Sequence, residues 1–382
     1  MSTAFDIQDA QAAFARGNLH KTDLVCRALL ARPDRQADHA AARDLLTRLR
    51  EHLGLDRPHS SRPDAHRYLL IKAWGFGMWS DLDHVLGALL VAELTGRIPL
   101  VHWGRNSLFR NPDTDNAFAL YFQPVSPAQW AHVCQPGLAC YPPKWHAGNL
   151  HLDDVVKWEG DGSRVTGLYL LNRPEPVVVS DFHIKLIDLL PWIPEGHPLH
   201  GLGLHAVYRQ LCRRHLRLQP ALRAEINALW QTHFAQDHWL AVHVRGTDKV
   251  HEFASLEALN AQYHGSIQRI LDVNPSLRLF LLTDSAPVEA DFRQRWGERV
   301  FCLPCVRGSG QEGVHLSGHP GEAIGRQVLT DAWLAARCDY FLGNGASNVS
   351  TGIRHLKDWP AGTYFLMGAD FLASTDLSLH QW

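Results

Sequence analysis

The sequence predicts an α/β protein built of two doubly wound, Rossmann-like domains facing a cleft, with a small helical region at the N-terminus. Three observations carry this expectation. From residue 238 onward, short apolar runs alternate with helical patterns of about ten or more residues, which is how βαβ units on a parallel sheet read. The same strand–glycine–helix order occurs once before, over 68–102. The length of 382 residues corresponds to two domains and an appendage at roughly 150 residues per domain. The expected division is 1–62 helical, 63–225 a first Rossmann-like domain, and 226–382 a second.

Taken in order, the first sixty residues read as helices over 10–16, 20–31 and 38–53, stopped at Gly17-Asn18, Pro33 and Gly54. They resemble one tetratricopeptide-type unit, a piece suited to packing or to a protein partner. The Pro-containing stretch 56–67 reads as a linker. A buried strand over 68–73 runs into Gly75-Phe76-Gly77, followed by a helix over 82–94 that stops at Gly96 and a strand over 98–102. Between 105 and 198 only 176–180 reads as a strand. Helices are expected over 202–219 and 221–236. Then follow strand 240–244, helix 256–271, strand 277–282, helix 288–296, strand 300–303, helix 323–336 and strands 340–343 and 364–367.

Composition removes several functions. Lys plus Arg number 37 against 39 Asp plus Glu, without the basic excess of a dedicated nucleic-acid binder. No run approaches the 18 apolar residues of a membrane span, and the opening residues lack the pattern of a signal peptide. Seven scattered cysteines read as reduced thiols rather than a disulfide framework. The expected location is cytoplasmic, peripheral to a membrane at most.

In open α/β sheets ligands bind beyond the carboxyl ends of the strands, and the chemistry-bearing residues stand there. The strand end Ala241–Val244 delivers His243, Arg245, Thr247, Asp248 and Lys249 around Gly246. An Arg at such a turn can clamp a phosphate with its bidentate fork; the plainer alternative is a surface turn in which Arg245 pairs with Asp248. The next strand ends in Thr283-Asp284-Ser285, where an acid can hold a sugar hydroxyl or simply cap the following helix. A third segment sets Asp331 on a helix before Asp339-Tyr340-Phe341-Leu342-Gly343-Asn344-Gly345-Ala346-Ser347, a turn able to make an anion site or to serve only as a capped turn.

Together these segments resemble the α1,6-fucosyltransferase family, which includes the Nod-factor and core fucosyltransferases. The His243–Lys249 run, the Thr283-Asp284 pair, the Asp331…Ser347 frame and the Gly75-Phe76-Gly77 turn with His84-Val85 carry the resemblance, over roughly 68–95 and 238–356. It implies a GT-B fold and an inverting, metal-independent transfer from a GDP-fucose donor to a glycan. By that resemblance Arg245 binds the β-phosphate, helped by Ser347 and the Gly75/Gly77 turn. Asp331 and the backbone near His243 read guanine, Asp284 holds ribose or fucose hydroxyls, and Tyr263 lines the donor site. Asp248 and Lys249 orient the sugars, and Glu252 is the expected general base. Two positions depart from the family pattern: Gly246 stands where it has a second Arg, and Ser285 where it has a second Asp.

The alternatives are the same fold using another nucleotide sugar and a catalytically inactive sugar- or nucleotide-binding scaffold. Cys302-x2-Cys305 with His315-x3-His319 has zinc-ligand types, but its setting reads as a core Cys and a loop Cys. Of the Trp residues at 74, 79, 103, 130, 145, 158 and 192, most read as core and one or two as a platform for an acceptor sugar.

Overall fold

The computed structural model describes residues 5–54, 66–153, 155–157, 164–246, 259–305, 307–308 and 320–373. Three helices open it, Ile7–Ala15, Leu19–Leu30 and His39–Leu53. The first starts at a reciprocal capping pair of Asp6 and Asp9, and the third stops at Gly54 in the left-handed region, φ 65°, where glycine carries no Cβ penalty. These helices share a small core around Val25, Cys26 and Leu45. Leu19, Leu49 and Leu53 join the main core of the molecule instead, and Arg27 lies 5.2 Å over the Trp192 ring, so the helical region is docked on the body.

The first sheet has strand order β2-β1-β4-β3: β1 Tyr68–Lys72, β2 Ile98–His102, β3 Cys140–Tyr141 and β4 Val177–Ser180, all parallel. The second has order β7-β6-β5-β8-β9: β5 Trp239–Val244, β6 Arg278–Thr283, β7 Val300–Phe301, β8 Tyr340–Asn344 and β9 Tyr364–Met367, again parallel. Both faces of β5 are buried: Leu240, Val242 and Val244 pack into one cluster, Trp239 and Ala241 into the other. That is why the strand reads as a continuous apolar run rather than an alternating one.

Helix Met78–Thr95 follows β1, and helix Asn348–Leu356 follows β8. The two helices touch near their starts: Trp79 packs where a Cβ on Gly352 would lie 2.1 Å from its ring, and Trp79 also stacks 5.9 Å from Trp333. The carboxyl edges of the two sheets therefore meet. Leu204–His215 and Pro220–His233 join the two sheets. The expected boundary between 225 and 226 falls inside the second of these helices.

Several expected elements differ in extent, two of them beside the ends of β5 and β6. The helix expected over 256–271 runs from Tyr263 to Val273, after a turn at Ala261 and Gln262; residues 247–258 lie outside the described ones. The strand expected over 300–303 ends at Phe301, two residues before Pro304, which has no N–H for a ladder.

Candidate functional site

The end of β5 is held from four sides. His243 is buried, its Nδ1 lies 2.7 Å from Ser350 Oγ, and its carbonyl accepts from the Tyr263 hydroxyl at 2.5 Å. Burial, with Arg245 beside it, pushes the imidazole down to about 4, so the ring is neutral at ordinary pH. Asn260 Nδ2 donates to the Arg245 carbonyl at 2.9 Å. Arg245 Nη1 pairs with Asp284 Oδ2 at 3.0 Å, and Asp284 Oδ1 accepts from the Gly246 amide at 3.0 Å. Both members of that pair are mostly buried yet reachable, at 18% and 17% side-chain exposure.

Beside this turn, β8 runs through Asn344 into the helix that starts at Asn348. Asn344 Oδ1 accepts from the Ala346 amide at 2.8 Å, and the turn is closed by chain 369–371, which leaves no room for a Cβ on Gly345 (2.3 Å to the Ala369 carbonyl). Ser347 is buried and stands in the N-cap position without using its side chain as a cap. A helix start of this kind favours an anion.

On the other side, the segment after β7 folds back along the end of β6: Gly308 donates to the Asp284 carbonyl at 2.8 Å and accepts from the Ala286 amide at 3.0 Å. This places Arg307, paired with Glu289 at 2.9 Å, between helices Ala286–Trp296 and Gly321–Ala335. Asp331 stands on the latter. Burial pushes its carboxyl up to about 7, and the charge of Arg307 opposes the rise.

The Gly75 turn lies at the carboxyl end of β1. Gly75 has φ +93°, which a side chain would resist, and its amide donates to Asp81 Oδ1 at 2.8 Å, with Phe76 N at 3.5 Å from the same atom. Burial pushes Asp81 up to about 7. Phe76 is 47% exposed and lies 4.9 Å from the half-buried Trp74. Trp79, Trp103, Trp145 and Trp192 are core; Trp158 lies outside the described residues.

The expected site residues thus divide. His243, Arg245, Asp284, Asp331 and Ser347 gather along the carboxyl edge of the second sheet or on the helix beside it. Tyr263 is 1% exposed and its hydroxyl donates to the His243 carbonyl, so it braces the strand end from beneath. That bond uses one lone pair of the His243 carbonyl, and the Gly75 amide donates to Asp81. Asp284 is tied to Arg245; the plainer expectation paired Arg245 with Asp248. Asp248, Lys249 and Glu252 lie outside the described residues, as do His315 and His319. Sequence reasoning missed Ser350, Asn260 and Arg307. None carries a local signal, because each acts across 15 or more residues or through a loop with no recognisable motif.

No family model matches the chain. It is 26% identical over 291 residues to Nodulation protein Z of Bradyrhizobium diazoefficiens, covering 69% of this chain and 72% of that protein; a fucosyltransferase NodZ from Bradyrhizobium is also a solved structure. The chain is thus similar in sequence to that nodulation protein. A crystal structure of NodZ α1,6-fucosyltransferase soaked with GDP-fucose aligns at 20% identity and a TM-score of 0.48, covering 76% of this chain and 93% of that one. The apo form of POFUT1 aligns at 14% identity and a TM-score of 0.51, covering 80% of this chain and 99% of that one. The two-sheet architecture and the POFUT1 likeness bear out the expected GT-B fold. The two departures from the fucosyltransferase motif also meet in space: a Cβ on Gly246 would lie 2.5 Å from the Ser285 Cβ. A small residue at each position is what lets the two turns pack.

Proposed function

We propose that the chain transfers fucose from GDP-fucose to a glycan or glycoconjugate acceptor, with inversion and without a resident metal. The observation that carries this reading is the convergence of Arg245, the Ser347 helix start and Asp331 along one sheet edge. Arg245 and the first amides of helix Asn348–Leu356 would take the negative charge that grows on the departing GDP. Asp331, in its ionised form, would accept from guanine N1–H and from its exocyclic amine, two donors that favour the charged carboxylate. Glu252 would remove the acceptor hydroxyl proton as that oxygen attacks the anomeric carbon and the bond to the β-phosphate breaks on the opposite face. Trp74 and Phe76, on the first-domain side, would stack on the acceptor sugar.

All seven cysteines are free, which fits a reducing cytoplasmic setting. Among the described residues no helix is long and apolar enough to cross a membrane.

Calorimetric titration with GDP, UDP, ADP and CMP tests the reading. GDP should bind tightest, and tighter binding of UDP would end the guanine assignment. Release of fucose from the donor distinguishes an enzyme from an inactive scaffold, which would bind GDP and release none.

A further inference from the structure

We infer that Asp284 is the positioning residue of Arg245, acting on the donor's diphosphate through that side chain rather than touching ribose or fucose. The inference rests on the proposed donor site and deepens it. One carboxylate binds two groups of the same turn: Oδ2 takes Arg245 Nη1 and Oδ1 takes the Gly246 amide, both at 3.0 Å. With both oxygens so engaged, Asp284 fixes the turn's backbone and the direction of the guanidinium together.

The neighbouring chain keeps Asp284 in that place. Its carbonyl accepts from Gly308 at 2.8 Å, and the next residue, Ser285, caps helix Ala286–Trp296 by accepting from the Val288 amide. The close packing of Ser285 on Gly246 holds the two strand ends together. An arginine fork can serve a carboxylate on one edge and a phosphate on another. A guanidinium already oriented loses less side-chain freedom when the diphosphate arrives. Without the carboxylate, the charge and length of Arg245 remain but the contact that orients its fork from the end of β6 is lost.

The test is binding of guanosine, inorganic pyrophosphate, GDP and GDP-fucose to the full chain and to Asp284→Asn, Arg245→Met and the double variant, with thermal melting to confirm folding. Asp284→Asn keeps an acceptor for Gly246 and removes the charge that holds Arg245. The expected result is a loss of about 10-fold or more for pyrophosphate, GDP and GDP-fucose alike, as for one charge-assisted contact. Guanosine binding should not change. The double variant should lose no more than Arg245→Met alone, because the two residues act as a unit.

Equal losses for guanosine and GDP would assign Asp284 to the ribose and overturn the inference. A loss confined to GDP-fucose would assign it to the sugar and overturn it too. So would additive losses in the double variant. Failure of the donor reading itself shows separately, in a wild-type chain that does not prefer GDP to UDP. Should Asp284→Asn fail to fold, Asp284→Glu decides: moving the carboxylate by one methylene should weaken pyrophosphate binding and spare guanosine, and an unchanged pyrophosphate affinity would overturn the inference.

Discussion

At the scale of single residues, the site depends on geometry more than on charge. Arg245 offers a planar fork, and Lys offers a point charge. Arg245→Lys should therefore lower turnover by at least about 10²-fold, the order of losing one donor to the developing charge; steady-state kinetics with GDP-fucose check this, and wild-type turnover would refute the role. Glu252 is the proposed base, and Glu252→Gln preserves its shape while removing the proton acceptor. Transfer should fall by about 10²–10⁴-fold with GDP binding unchanged. If transfer survives there but vanishes in Asp248→Asn with GDP binding intact, the base is Asp248.

At the scale of elements, buried carboxylates shape the turns. Asp81 holds the Gly75 turn through the amides of Gly75 and Phe76, and burial puts its carboxyl at about 7, against about 3.9 in an unfolded chain. Between those values the folded state binds the extra proton, so this group's contribution to stability declines as pH rises from about 4 to 7 and is level above. Asp81→Asn carries no such proton but keeps an acceptor for the amides. Its melting temperature relative to wild type should rise between pH 5 and 7 and level off above that, and a difference that stays flat from pH 5 to 7 would show that Asp81 is not desolvated in this way. The helix Tyr263–Val273 offers a simpler lever. Gly265 is exposed with nothing within 4 Å of an added Cβ, so Gly265→Ala should stabilise the protein by up to about 1 kcal/mol, read by denaturant unfolding.

At the scale of the whole molecule, the two sheets are joined by close helix contact, and Gly352 is where it is tightest. An Ala there gains the same helical propensity, about 1 kcal/mol, but its Cβ would lie 2.1 Å from the buried Trp79 ring. Overpacking of a rigid core ring costs about 1–3 kcal/mol, so Gly352→Ala should lower stability where Gly265→Ala raises it. A stabilised Gly352→Ala variant would mean that the helices can move apart freely. Deeper in the same contact, Asp83 accepts from the Tyr208 hydroxyl and lies 2.9 Å from His183 Nε2, while His355 stacks 4.3 Å from Tyr208. Helices Met78–Thr95, Leu204–His215 and Asn348–Leu356 are thereby tied by polar as well as apolar contact.

Most of the fold was legible because its signals are local. Apolar runs such as 240–244, glycine stops such as Gly54 and Gly96, and the spacing of strand and helix repeat a short-range pattern that each segment imposes on itself. The motif around Arg245 placed its polar residues at the carboxyl edge of the second sheet for the same reason, since the residues after a parallel strand must emerge there. The stretch 105–198 was not legible: its order comes from loops packed over the first sheet, such as the buried Lys72 ammonium donating to the Leu150 and Leu152 carbonyls, and such contacts leave no periodic trace. The packing of Tyr263 was not legible either, because a side chain on the first turn of a helix can face a ligand or the strand below it. Only packing put its hydroxyl on the His243 carbonyl. By itself, then, the sequence determined which strands end in reactive residues. The tertiary structure alone decided which of those side chains are spent on one another, as Asp284 is on Arg245, because hydrogen bonds between separate strand ends depend on register and layer contact that no single segment encodes.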